Sequence, residues 1–169
     1  MKNKNIFKTC LKIPAVVKFQ LKQNLLFLKG SGGYLCLDIS FLTSKTLSLI
    51  NKRMKFSSFF RLLQKSVVGV SLSFVIRLTF VGVGFRVESI KNNFIKLKLG
   101  FSHFVFIKIP FYVEVFVPQK TSLVLKSLDE QLLKEFCSKI CFFRVPDVYK
   151  GKGILYKNET LILKEGKKK

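Results

Sequence analysis

The stretch SLVLKSLDEQLLKEFCSKICFF, Ser122 to Phe143, decides the fold, because its hydrophobic period changes partway along. Ser122 to Lys126 alternates as a half-buried strand does, with every second side chain on one face. From Ser127 the apolar residues Leu132, Leu133, Phe136, Cys137, Ile140 and Cys141 instead fall on one side of a helix. Lys134, Glu135, Ser138 and Lys139 take the other side. Ser127 and Glu130 have the spacing of a capping box, and Asp129 and Glu130 lie at the positive end of the helix dipole. Val145-Pro146 closes the helix, since the residue before a proline avoids the α region.

Upstream, period-two segments follow one another. Phe74 to Val81 reads as a buried strand. Phe85 to Ser89 puts Arg86 and Glu88 on one side, and Phe94 to Leu99 sends Lys96 and Lys98 outward. Phe104 to Ile109 and Val113 to Val117 continue the series, with Asn92-Asn93, Gly100 and Pro110 as the turns between. In the first third, Ala15 to Phe19, Leu25 to Leu28 and Tyr34 to Ile39 are short strands, and Lys29 to Gly33 is a hairpin turn. Leu47 to Ile50 reads as a further short strand. Phe56 to Val68 is a helix that buries Phe59, Phe60, Leu62, Leu63 and Val67, exposes Arg61, Gln64 and Lys65, and stops at Gly69. A last short strand is expected over Glu159 to Leu163. Strands, helix, strand thus occur twice. The pattern predicts an α+β fold of two similar small domains, each a mostly antiparallel sheet on one helix, over 1–77 and 78–169.

Charge narrows the function. Lys and Arg number 31 against 9 Asp and Glu, a formal net charge of +22 on 169 residues. Such a chain repels itself unless a polyanion screens it, yet its hydrophobic fraction of 49% is that of a folded protein. RNA, DNA and an anionic membrane are the candidate partners. Val67 to Phe85 approaches the length of a membrane span, but Arg77 sits near its centre and Gly69, Gly82 and Gly84 interrupt it. A buried strand is the better reading, and a membrane-associated basic protein is the alternative. Met1 to Lys12 has neither the apolar core nor the cleavage site of a secretory signal.

Catalytic constellations are scarce. Cys10, Cys36, Cys137, Cys141 and His103 do not make the paired ligand spacing of a zinc site, so neither metal nor cofactor is expected. A small RNA-processing enzyme would have to use His103 or one of the few carboxylates. Gly82-Val83-Gly84 lacks the third glycine of a dinucleotide loop and marks a bend.

The second glycine pair keeps different company. Arg144, Lys150, Lys152 and Lys157 crowd around Tyr149, Gly151, Gly153 and Tyr156. The lysines suit phosphates, the tyrosines suit bases, and the glycines let backbone approach a sugar–phosphate surface. The tail Lys167-Lys168-Lys169 is a further phosphate-neutralising arm.

The run Arg144-Val-Pro-Asp-Val-Tyr-Lys-Gly-Lys-Gly-Ile-Leu-Tyr156 resembles the C-terminal signature of the bacterial-type large-subunit ribosomal protein six family, with Val148 where the family has a second proline. Val81 to Arg86, Leu97 to His103 and Leu125 to Gln131 resemble the family in the same order, and Phe104 replaces its proline after the histidine. Before Val81 the likeness thins to Ile13-Pro14 and parts of Leu28 to Leu35. The resemblance implies two small α+β domains and a structural, non-catalytic role in the large ribosomal subunit. It implies binding of large-subunit rRNA, chiefly by the second domain, near the sarcin–ricin loop and the stalk base, where translation factors dock. Arg86, Ser102 and His103 would join the loop residues on the RNA. Neighbouring large-subunit proteins, and not a second copy, are the implied protein partners. The richness in Phe, Lys and Asn suits an organelle-encoded mitochondrial member; a bacterial or plastid member is the alternative.

Overall fold

The structure, a computed structural model, describes residues 14–40 and 49–166. It is α+β, and the chain divides into two compact units between Leu72 and Ser73.

In the first unit β1 (Lys18–Lys22), β2 (Leu25–Gly30) and β3 (Gly33–Asp38) form an antiparallel meander in that order. Register pairs Leu26 with Leu37 and Leu28 with Leu35, so four leucines share one face. That face packs on Leu63, Val67 and Val70 of helix α1 (Leu49–Leu72). Arg61, Gln64 and Lys65 are exposed, as the spacing requires. Of the strand expected at Leu47 to Ile50, Leu47 and Ser48 lie outside the described residues, and Leu49 and Ile50 open the helix.

The helix does not stop at Gly69, which is buried inside it. It runs on to Leu72 because the β2–β3 turn supplies donors to its end. Gly32 N–H donates to Val70 O at 2.9 Å, and Ser31 Oγ donates to Ser71 O at 2.6 Å. Ser73 then takes the left-handed conformation, φ +61°, where a glycine was the expected stop signal.

The second unit opens with β4 (Phe74–Val81), followed by β5 (Arg86–Lys91), β6 (Phe94–Lys98), β7 (Val105–Lys108), β8 (Glu114–Gln119) and β9 (Ser122–Ser127). Helix α2 (Glu130–Phe142) and β10 (Gly153–Tyr156) complete it. One sheet has the order β10-β4-β9-β8 and the other β5-β6-β7, with every pairing antiparallel. Leu133, Phe136, Cys137 and Ile140 of α2 are buried in a core shared with both sheets. The domain boundary read after residue 77 would cut β4. That strand pairs on both sides with strands of its own unit, β9 and β10, so the division falls before it.

Two local readings need correction. The N-cap of α2 is Asp129, not Ser127: its carboxylate accepts from Gln131 N–H at 2.7 Å and Leu132 N–H at 3.4 Å. Ser127 is held as the last residue of β9, opposite Phe74, and its Oγ accepts from Asp129 N–H. No strand forms over Glu159 to Leu163; the closing strand is Gly153–Tyr156, inside the segment read as a basic loop. With only four residues, Gly-Ile-Leu-Tyr, that strand is too short to show a period, although its central Ile154 and Leu155 are both buried. Val67 to Phe85 is shared between the end of α1, β4 and a glycine turn, and no helix among the described residues is long and apolar enough to cross a membrane.

Where β10 meets α2, burial pushes the Cys137 thiol up to about 12, the Cys141 thiol up to about 11 and the Tyr156 phenol up to about 12. Their ordinary values are 9.0 for the thiols and 10.0 for the phenol. The unfolded chain therefore loses these protons first. The stability they contribute is complete below pH ~9 and is lost as pH rises through the folded values. Urea midpoints should thus fall between pH ~9 and ~11, and fall less steeply in the Cys137→Ala, Cys141→Ala double variant; equal slopes would refute the burial argument.

Candidate nucleic-acid interface

The segment from α2 to β10 folds around one carboxylate. Asp147 Oδ1 accepts from Tyr149 N–H at 3.2 Å and Oδ2 from Lys150 N–H at 3.3 Å. Its carbonyl accepts from Gly151 N–H at 2.8 Å, and its own N–H donates to Lys152 O at 3.0 Å. This is a tight Asx-type turn that lifts Tyr149, Lys150 and Lys152 into solvent.

The two glycines differ. Gly151 has φ +65°, which a residue with a side chain adopts only at a cost. Gly153 is buried, and a Cβ there would stand 2.5 Å from Pro146 Cα and 2.7 Å from Pro146 N. The space beside Gly153 is thus filled by the protein's own backbone, and its smallness serves the loop. Ile154 N–H donating to Arg144 O at 3.0 Å, and Lys164 N–H donating to Val148 O at 3.0 Å, tie the turn down further.

The result is an open depression of about 570 Å³ lined by Phe143, Arg144, Val145, Asp147, Lys150 and Lys152. Among the described residues the ion pairs join Arg86 to Glu88, Lys126 to Glu114, Lys134 to Glu130 and Lys139 to Glu135. None of these takes Arg144, Lys150, Lys152 or Lys157. Three uncompensated cations therefore border one concavity, whose single acid already serves the backbone.

A second loop joins this face through aromatic rings. The Arg144 guanidinium lies 5.3 Å from the centroid of Phe101 and 5.7 Å from that of Phe85. Phe101 in turn stacks on His103, centroids 5.6 Å apart and planes 15° from parallel. Contacts of a guanidinium with a ring at this range stabilise by about 0.5–1 kcal/mol when exposed. Phe85 is buried beneath, and a Cβ on Gly100, φ +76°, would press to 2.8 Å from its ring. Arg144 and His103, distant in sequence, are thus both in contact with the ring of Phe101.

The remaining expected residues are placed as follows. Ser102 is exposed beside His103. Arg86, on β5, is engaged at 2.7 Å by Glu88, which holds the guanidinium pKa above and the Glu88 carboxyl pKa below their usual values. Tyr156 packs against the core and interacts with Cys141, so its ring is not presented outward as Tyr149's is. Lys157 is exposed, with its N–H on Arg77 O. Lys167, Lys168 and Lys169 lie outside the described residues. Sequence reasoning missed Phe85, Phe101 and the turn-forming role of Asp147. Phe101 lies two residues before His103, but spacing cannot show that Arg144 reaches its ring.

These features define a class: a strongly basic α+β protein that presents a carboxylate-turned, cation-lined loop beside an aromatic stack. A family model described as ribosomal protein L6 matches residues 81–157. The large ribosomal subunit protein uL6 of Buchnera aphidicola subsp. Schizaphis graminum is 34% identical over 97% of this chain and 98% of its own length. That of Cellvibrio japonicus is 37% identical, with the same 97% and 98% covered. The uL6c protein of Phaeodactylum tricornutum is 50% identical over 63% of this chain and 59% of its own. The chain belongs to the ribosomal protein L6 family.

Gly153→Ala should destabilise the second unit by about 1–3 kcal/mol, because backbone atoms and not a flexible side chain oppose the added methyl. Gly84→Ala, with φ +74° and nothing within 4 Å, should cost about 1 kcal/mol. Paired urea unfolding curves test the order; a larger loss at Gly84 would contradict it.

Proposed function

We propose that the chain is a structural constituent of the large ribosomal subunit, binding large-subunit rRNA through the loop between α2 and β10. The observation that carries this is the convergence of Arg144, Lys150 and Lys152, none ion-paired among the described residues, on one depression in a chain of net charge +22. Placing phosphates there releases counterions from the RNA and relieves the protein's self-repulsion. Exposed Tyr149 stands ready to stack or to hydrogen-bond a phosphate. His103, Ser102 and the Arg144–Phe101 stack extend the same face. Lys157 and the tail Lys167 to Lys169 add cations, while Gly151, Gly153 and Tyr156 act by shaping the loop and β10. Arg86, already paired with Glu88, gives the RNA less than a free arginine would.

The family likeness supports a site near the sarcin–ricin loop and stalk base, with neighbouring large-subunit proteins in contact and translation factors close by. It supports a single copy per particle and a role in holding RNA, not in catalysis. The richness in Phe (19 residues), Lys and Asn suits an AT-rich genome such as a mitochondrial one, with a bacterial or plastid ribosome as the alternative; mass spectrometry of ribosomes from purified organelles decides this.

The Lys150→Glu, Lys152→Glu double variant should be depleted from large subunits on sucrose gradients while still folding. Lys150→Ala with Lys152→Ala should lower the slope of log affinity against log salt by about 1–2. Normal incorporation of the charge-reversed variant would remove the loop from the RNA interface.

A further inference from the structure

We infer that an open groove between β7 and the end of α2 receives an extended, acidic and apolar segment of a neighbouring protein, added as a strand to β7. The groove, about 600 Å³, is lined by Phe106, Ile107, Phe142 and Phe143, with Lys108 and Ser138 among its polar residues. Phe106 is 62% exposed and Phe142 83%, two large apolar rings that border the same groove. Grouped exposed rings of this kind mark surfaces that a partner covers.

The backbone says what shape the partner has. β7 is the outermost strand of its sheet. It pairs Val105 with Leu97 and Ile107 with Ile95, and Ile109 N–H donates to Asn93 O at 2.7 Å. By the alternation of an antiparallel ladder, the N–H and C=O groups of Phe106 and Lys108 point away from β6. They form an unpaired edge beside a helix, an arrangement that takes an extended peptide by main-chain hydrogen bonds.

Charge says what the segment carries. Lys108 is exposed and has no ion pair among the described residues, whereas Lys139, also on the groove, is held by Glu135 at 2.6 Å. One free ammonium beside three phenylalanines suits an Asp or Glu flanked by apolar residues. RNA fits less well: it has no ladder of amides for the β7 edge, and this groove lacks the triple cation border of the α2–β10 loop. A second copy of a +22 chain would bring repulsion.

The inference rests on the large-subunit reading only for the particle in which the neighbour is met. The test places photoreactive benzoylphenylalanine at Phe106, at Phe142 and, separately, at Lys152 of the full chain in assembled large subunits. The Phe106 and Phe142 probes should both cross-link to the same short protein stretch containing Asp or Glu, mapped by mass spectrometry. Lys108→Glu should reduce the Phe106 yield at least tenfold. Cross-links to rRNA, to a second copy or to a stretch without acids overturn the inference, as does their absence from subunits that contain the chain. Phe142 is exposed enough for its probe to leave the fold intact if the Phe106 probe disturbs it. The Lys152 probe separates the two readings: if it meets no rRNA while Phe106 meets an acidic strand, the loop assignment fails and the groove assignment stands.

Discussion

The cationic face depends on the close approach of two backbones, Gly153 against Pro146. With no Cβ between them, the chain leaving α2 lies directly on the start of β10, and Arg144 O receives Ile154 N–H. The loop is thereby closed at its base, and the Asp147 turn shapes its tip. Lysines on an open loop would spend conformational entropy to converge on a ligand; lysines on a clipped turn have already been placed.

Electrostatics and packing are thus separated along the chain. The acids of the second unit are largely used internally: Asp129 caps α2, Asp147 turns the loop, Glu88, Glu114, Glu130 and Glu135 pair with nearby cations. The depression beside the loop is left bordered by Arg144, Lys150 and Lys152. The apolar surplus of the sequence is divided as well, partly into the core under α2 and partly into the rings that border β7.

Much of this was legible in the sequence. The alternation of Phe94 to Leu99 and the helical stripe from Leu132 to Cys141 each carry one period strongly, and β6 and α2 form there. The helix stop at Gly69 failed because tertiary donors from Gly32 and Ser31 extend the helix past it, which local propensity cannot anticipate. The capping box failed because strand pairing claimed Ser127 first. At the interface, the lysines and Tyr149 were readable from composition. The inward turn of Tyr156 and the meeting of Arg144 with Phe101 depend on which strand β10 joins, and a four-residue strand, Gly-Ile-Leu-Tyr, does not announce its partner.

The pairing of β10 with β4 has a consequence for biosynthesis. The first strand of the second unit, Phe74–Val81, keeps one edge bare until Gly153–Tyr156 has been translated. A ribosome making this protein therefore emits an unfinished sheet until that segment has been made. The cation-lined loop that leads into this strand is closed at its base only when the sheet is completed, so the two mature together.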